Sequence, residues 1–277
     1  SRLGDLRMLA CGRDWQPTEV IRVIHPILSS TCVVNVMTDQ GQAYLKGMGN
    51  PAGNGSLALE LVGSELADAV GLRVPAFAIV ELTAIEVRTA KGGLLDYGPA
   101  FLSKSVRGSP GDAEGVFVRK LSNPHHVALL VAFDTWIRNL DRCPPPDYLD
   151  PTPNRDNLFF APAGSRFELL AIDHTHCFVE EDIEDAFQDD QFVDDRRVYG
   201  AFPEFSGHLN EASLREAART ISEIDAARVE TIVGSVPLAW GPSSDARARW
   251  SEQIIARAER IEEYLLAGLV SQGQMGI

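Results

Sequence analysis

Positive charge is scarce in this chain. Of its 277 residues, 25 are lysine or arginine against 39 aspartate or glutamate, a formal net charge of -14. Contacts to a nucleic-acid backbone need clustered cations, so the deficit argues against nucleic acid as a direct partner. Cysteine is scarce too. Cys11, Cys32, Cys143 and Cys177 form no CxxC pair and have no histidines at zinc-finger spacing, so metal binding by cysteine is not expected. Reduced thiols in a cytoplasm are the expectation. Long apolar runs are missing: residues 127–133 are the longest, far short of the roughly 20 a membrane span requires. The chain shows no opening basic segment followed by an apolar one, so no signal peptide is expected. Internal repeats and low-complexity segments are also absent.

What is present describes a globular protein. Hydrophobic residues make up 45% of the chain, enough for a sizeable core in one large domain or two lobes. The acidic surplus is concentrated in residues 180–195, which read as a solvated loop rather than a recognition surface.

In the first third, the β-branched runs 21–24 and 32–37 are bounded by turn residues and predict strands. Thr38-Asp39-Gln40-Gly41 is a tight turn, and residues 42–46 return as a third strand ending on Lys46. Residues 47–56 hold four glycines but match neither a P-loop nor GxGxxG. They read equally as a mobile strand-to-helix loop or as a close backbone approach to an anion. Ser56 is a candidate cap for a helix over 57–70 that stops at Gly71. Glu60 lies near its packed stripe, where an unpaired carboxylate would be costly, so a cationic partner is expected. Residues 76–82 predict a strand. Two more follow within 85–105 around Lys91-Gly92-Gly93, the second being residues 99–104, expected at the sheet edge.

The chemistry concentrates in residues 133–178. An apolar helix opened by His125-His126 runs to Leu140 and into Asp141-Arg142. A proline-rich stretch leads to Asn157 and the apolar run 158–160, and after a turn comes Leu169-Leu170-Ala171-Ile172-Asp173. One carboxylate before a hairpin, an amide at its start and a second carboxylate at its end is a way to hold Mg-ATP. Phosphoryl transfer asks for positioning and cations more than for covalent help, and Mg2+ takes few hard oxygen ligands from protein. Helices over 212–219, 225–233 and 245–269 complete the chain, with a turn at 236–240.

Strand-borne Lys46, the glycine-rich loop, the Glu60 helix, Gly71-Leu72-Arg73-Val74-Pro75 and the next strand resemble the N-lobe of HipA-like kinases. Type II phosphatidylinositol 4-kinases show a related arrangement. Asn139-x-Asp141-Arg142, Asn157 before its strand, Ile172-Asp173-His174, and Pro237-x-x-Trp240 before an arginine-rich helix look similar to the same group. The resemblance implies an α+β, two-lobed protein-kinase-like fold, with a β-rich N-lobe over 1–105 and a helical C-lobe over 106–277 in one kinase-like domain. It implies ATP and Mg2+ as cofactors, with Lys46 on the nucleotide phosphates and held by Glu60. It implies Asp141 as the catalytic aspartate and Asn157 and Asp173 as the metal ligands. Asn154 remains an alternative to Asn157, because residues 143–156 intervene where kinases keep a shorter spacing. Asn139 and Arg142 are expected to orient the loop, and His174, Thr175 and His176 to open an activation-type segment. The implied acceptor is an unknown protein Ser/Thr. A pseudokinase scaffold, a regulatory partner-binding protein of toxin–antitoxin type, and a lipid or small-molecule kinase stay open as alternatives.

Overall fold

The computed structural model of the protein describes residues 9–179 and 182–274. Glu180, where the acidic run begins, lies outside the described residues.

The first sheet grows from a meander of β1 (Val20–Pro26), β2 (Val34–Thr38) and β3 (Gly41–Lys46). Thr38 builds the turn between β2 and β3: its hydroxyl donates to the Gly41 carbonyl at 2.7 Å and accepts from the Gln40 amide at 3.1 Å. After α1 (Gly55–Ala69) come β4 (Phe77–Leu82) and β5 (Gly98–Lys104), and the antiparallel order is β1-β2-β3-β5-β4. Residues 99–104 are therefore not the expected edge. They lie between β3 and β4 and pair with both, because the chain returns across α1 to both free edges, and Ala100, Phe101 and Leu102 are buried in succession. The other strand expected within 85–105 is only a single bridge, Arg88 to Leu94, around a turn where Gly92 takes φ +84°.

Helix α1 differs from the expected one-sided stripe. Every residue from Ser56 to Ala67 is buried, so both Glu60 and Glu65 lie in the interior. Glu65 is satisfied by the amides of Ala10 and Cys11, each at 2.8 Å, which ties the chain before β1 to the helix. Ser56 does not cap. Asn54 is the N-cap residue without a side-chain capping bond, its Oδ1 instead accepting from the Gly49 amide at 3.2 Å, and the Ser56 hydroxyl donates back to the Gly53 carbonyl at 2.7 Å. The C-terminal end is as expected, with Gly71 at φ +85°.

Beyond β5, β6 (Ser109–Pro110), β7 (Leu158–Ala163) and β8 (Arg166–Ala171) form a small antiparallel sheet. Helix α2 (His125–Ile137) stops three residues short of the expected Leu140. Arg138 turns left-handed at φ 51°, and the amides of Arg138 and Asn139 close back on the Asp134 carbonyl. The remaining helices are α3 (Gln191–Asp194), α4 (Glu211–Ser222), α5 (Ala226–Gly234) and α6 (Ser244–Gln274). Most of the apolar core joins α1 and α2 to the later helices, and a smaller cluster lies on the sheet around Trp15, Val36 and Leu102. No described helix is long and apolar enough to cross a membrane.

Candidate active site

The end of β3 delivers Lys46 into the interior, 7% exposed, where α1 presents Glu60. The ammonium lies 2.8 Å from Glu60 Oε2, 2.8 Å from Asp173 Oδ1 and 2.7 Å from Thr175 Oγ1. Burial works against the charged lysine, yet Asp173 and then Glu60 hold it well above the ordinary lysine range. Burial likewise opposes ionised Asp173, and the nearby Lys46 keeps that carboxyl well below the usual carboxylate range. The site is therefore a buried cation matched by two carboxylates, with strong hydrogen bonds satisfying each. Asp173 holds φ +55°, a conformation unusual for a residue with a Cβ.

Asp141 follows the left-handed turn that ends α2. Asn157 Nδ2 donates to Asp141 Oδ2 at 2.8 Å, and Asn154 Nδ2 approaches Oδ1 at 3.4 Å. With its N–H group spent on a carboxylate, Asn157 has an amide oxygen without a protein donor among the described residues. The Asn154 oxygen instead caps the short turn at Arg155–Asn157 by accepting from the Asp156 amide. Arg142 underlies all of this with no exposure. It pairs with Asp134, donates to the Asn157 carbonyl at 3.1 Å and reaches the Ile172 carbonyl at 2.5 Å.

Two cavities flank this cluster. One of about 550 Å3 is lined by Lys46, Glu60, Asn157 and Asp173 together with apolar Val33, Phe101, Val106, Phe159 and Ile172. The other, about 670 Å3, is lined by Asp141, Tyr148, Thr175, His176 and the loop residues Ala52 to Ser56. Four of the five expected site residues thus share the first cavity, and Asp141 faces the second while touching Asn157. The glycine-rich loop is a held turn rather than a free one: Asn50 Nδ2 donates to the Gly47 carbonyl at 2.9 Å, and Asn50 Oδ1 accepts from Ala52 at the same distance.

A carboxylate and an amide oxygen on one cavity wall suit a hard divalent cation that keeps most of its ligands as water or phosphate. Among the described residues no group of three or more His, Cys, Asp or Glu could hold a metal ion. Thr175, expected only as part of an activation-type segment, brings its hydroxyl to three charged groups; a lone Thr after Asp-His offers no distinguishing sequence signal. His174 is wholly buried, its Nδ1 3.3 Å from the Ser64 hydroxyl, and burial pushes its pKa well below the usual value, so it is a neutral packing residue. His125 and His126 face each other edge to face at 4.5 Å and belong to no metal cluster.

The overall fold is similar to that of the Helicobacter pylori proinflammatory kinase CtkA, with a TM-score of 0.59 at 11% identity over 92% of this chain and 96% of that one. A Ralstonia eutropha protein assigned as an aminoglycoside phosphotransferase aligns over 90% of this chain and 93% of its own. Its identity is 14%, and its TM-score of 0.29 is too low to support a comparison of folds. No curated protein matches the sequence. Residues 30–266 match the HipA-like kinase family, and the chain, with its two-lobed kinase-like α+β fold, belongs to that family.

Proposed function

We propose that the protein is an ATP- and Mg2+-dependent phosphotransferase whose acceptor is a Ser or Thr hydroxyl of another protein. The observation that supports it most is the contact of Lys46 with both Glu60 and Asp173 in the wall of one cavity. In this reading ATP occupies the 550 Å3 cavity, with adenine against Val33, Phe101 and Phe159. Lys46, fixed by Glu60, neutralises phosphate charge. Asn157 and Asp173 hold Mg2+, which would draw charge from the transferring phosphoryl group when bound. Asp141, lining the neighbouring cavity, orients the acceptor hydroxyl and accepts its proton. Residues 1–105 and 106–277 act as the two lobes, and residues 143–156, next to Asp141, shape acceptor choice.

Labelled ATP with Mg2+ and a cell lysate tests this reading, comparing wild type with Asp141→Ala and Asp173→Ala. Transfer of label by wild type, lost in both variants, is expected. Tight ATP binding without transfer to any protein would favour a nucleotide-binding scaffold. If ATP does not raise the melting temperature of the wild type, the assignment of the cavity is wrong.

A further inference from the structure

Lys46 has three ammonium hydrogens and three acceptors around it: Glu60 Oε2, Asp173 Oδ1 and Thr175 Oγ1 at 2.7–2.8 Å. None is left over for a nucleotide phosphate. Thr175 has one hydroxyl hydrogen and two carboxylate oxygens within reach, Asp173 Oδ1 at 2.7 Å and Glu60 Oε2 at 2.8 Å. Only one of them can receive it at a time. Glu60 Oε2 has two further donors, Lys46 and the His174 amide at 3.1 Å. Asp173 Oδ1 has only Lys46 besides Thr175, and Asp173 Oδ2 has no protein donor among the described residues. One oxygen of Asp173 is therefore tied to the protein and the other is left for a ligand.

We propose that Thr175 is a positioning residue for the cation site, a role that rests on the assignment of Asp173 as a metal ligand. Its hydroxyl fixes Asp173 through Oδ1 while Oδ2 remains for the divalent cation. When an N–H of Lys46 turns from Asp173 to a phosphate oxygen, Glu60 keeps the His174 amide and Asp173 keeps the Thr175 hydroxyl, so the carboxylate that is to hold the cation stays in place. Thr175 is 2% exposed, and its β-branch limits the rotamers open to the hydroxyl. It also lines the cavity of Asp141, whereas its three charged partners line or reach the nucleotide cavity. The hydroxyl thus stands in the wall between the two.

The test uses the full chain with Thr175→Val, which keeps the shape and removes the hydroxyl, and Thr175→Ser, which keeps the hydroxyl. ATP binding is measured by calorimetry across a Mg2+ series and again in EDTA, beside kcat and KM. Thr175→Val is expected to raise the Mg2+ concentration for half-maximal tight binding about tenfold, the scale of one charged hydrogen bond, and to lower kcat. Affinity in EDTA should change by no more than about twofold, because Lys46 and Glu60 remain in place. Thr175→Ser should restore both quantities. The proposal is overturned if Thr175→Val keeps the wild-type Mg2+ dependence, if Thr175→Ser is as impaired as Thr175→Val, or if affinity falls equally with and without Mg2+. Should Thr175→Val not fold, Thr175→Ala takes its place under the same criteria. A wild type that binds no ATP in either condition overturns the assignment of the site itself, and this proposal with it, which the variants alone could not do.

Discussion

The guanidinium of Arg142 donates to the main-chain carbonyl of Asn157 at 3.1 Å, with no exposure to solvent. The same group reaches the carbonyl of Ile172, the residue before Asp173, and is paired with Asp134 on α2. Asn139 adds an amide to the Asp134 carboxylate at 3.1 Å. One buried cation therefore joins the helix before Asp141 to the backbone of Asn157 and of the residue before Asp173. Lysine is a single-point donor and cannot reproduce that fork.

Arg142→Lys is accordingly expected to lower kcat at least about tenfold and to cost about 3 kcal/mol, the scale of breaking a buried pair. Denaturant midpoints and transfer rates measure the two effects. A variant with wild-type midpoint and wild-type kcat would show that Arg142 does not hold the loop.

Gly63 tests how tightly α1 packs under the segment after Asp173. In the middle of a helix, Gly→Ala ordinarily stabilises by about 1 kcal/mol. Here a Cβ would stand 2.4 Å from His174 Cβ and 2.9 Å from its Cγ. His174 is fully buried between Asp173 and Thr175, so the neighbour that must yield is part of the site. The clash outweighs the propensity gain, and Gly63→Ala should lose about 1–3 kcal/mol with a fall in activity. Gly234→Ala, on α5 with nothing within 4 Å of an added Cβ, is the control and should be neutral or slightly stabilising. Equal melting temperatures for the two variants would refute the close approach.

His126 gives a stability change with pH. Its Nδ1 lies 2.9 Å from Asn123 Nδ2, so it accepts from that amide in the neutral ring. Burial, then the nearby His125 and Arg73, lower its pKa to about 4. The unfolded chain, with an ordinary histidine near 6.5, binds the proton first as pH falls. The contribution is present above about pH 6.5 and drains away towards pH 4, at most about 3 kcal/mol. The urea midpoint of wild type should fall relative to that of His126→Phe between pH 7 and 4. Parallel curves would assign the pH dependence to other groups.

How legible these features were depends on whether the signal is local. The meander β1 to β3 announces itself by β-branched runs and turn residues, and the hairpin of β7 and β8 by short apolar runs on either side of a turn. Lys46 and Glu60 were legible through the resemblance to HipA-like kinases, and Glu60 also because an unpaired carboxylate beside a packed stripe is costly. The position of β5 could not be read, since strand order depends on which edges pair across α1 and not on the strand's own residues. The end of α2 was misjudged because Arg138 takes a left-handed turn with no glycine to mark it. Glu65 was overlooked because its partners are main-chain amides more than 50 residues away. Arg257 was equally invisible: wholly buried on α6, it faces main-chain carbonyls of Thr135, Trp136, Phe192 and Asp195, partners that no residue pattern names.

The last prediction concerns the pair Arg138–Asp195. Arg138 Nε lies 2.8 Å from Asp195 Oδ2, which also receives the Tyr199 hydroxyl at 2.5 Å and Arg197 at 2.9 Å. Burial opposes the charged form, but the hydrogen bonds of Arg197 and Tyr199 and the charge of Arg138 hold the carboxyl well below its usual range. Its folded value being the lower one, the carboxylate stabilises the protein above about pH 4, and that contribution is lost as pH falls further. Asp195→Asn should therefore be less stable than wild type at pH 7, with the gap closing in acid. Because Arg138 sits three residues before Asp141, the pair also links the segment after Asp173 to the start of the loop that carries Asp141. A double-mutant cycle of Arg138→Ala and Asp195→Ala is expected to show a coupling of at least about 1 kcal/mol, both in stability and in the barrier to phosphoryl transfer. Coupling in stability alone would make the pair a structural clamp, and strict additivity in both would mean that the two side chains act through their other partners.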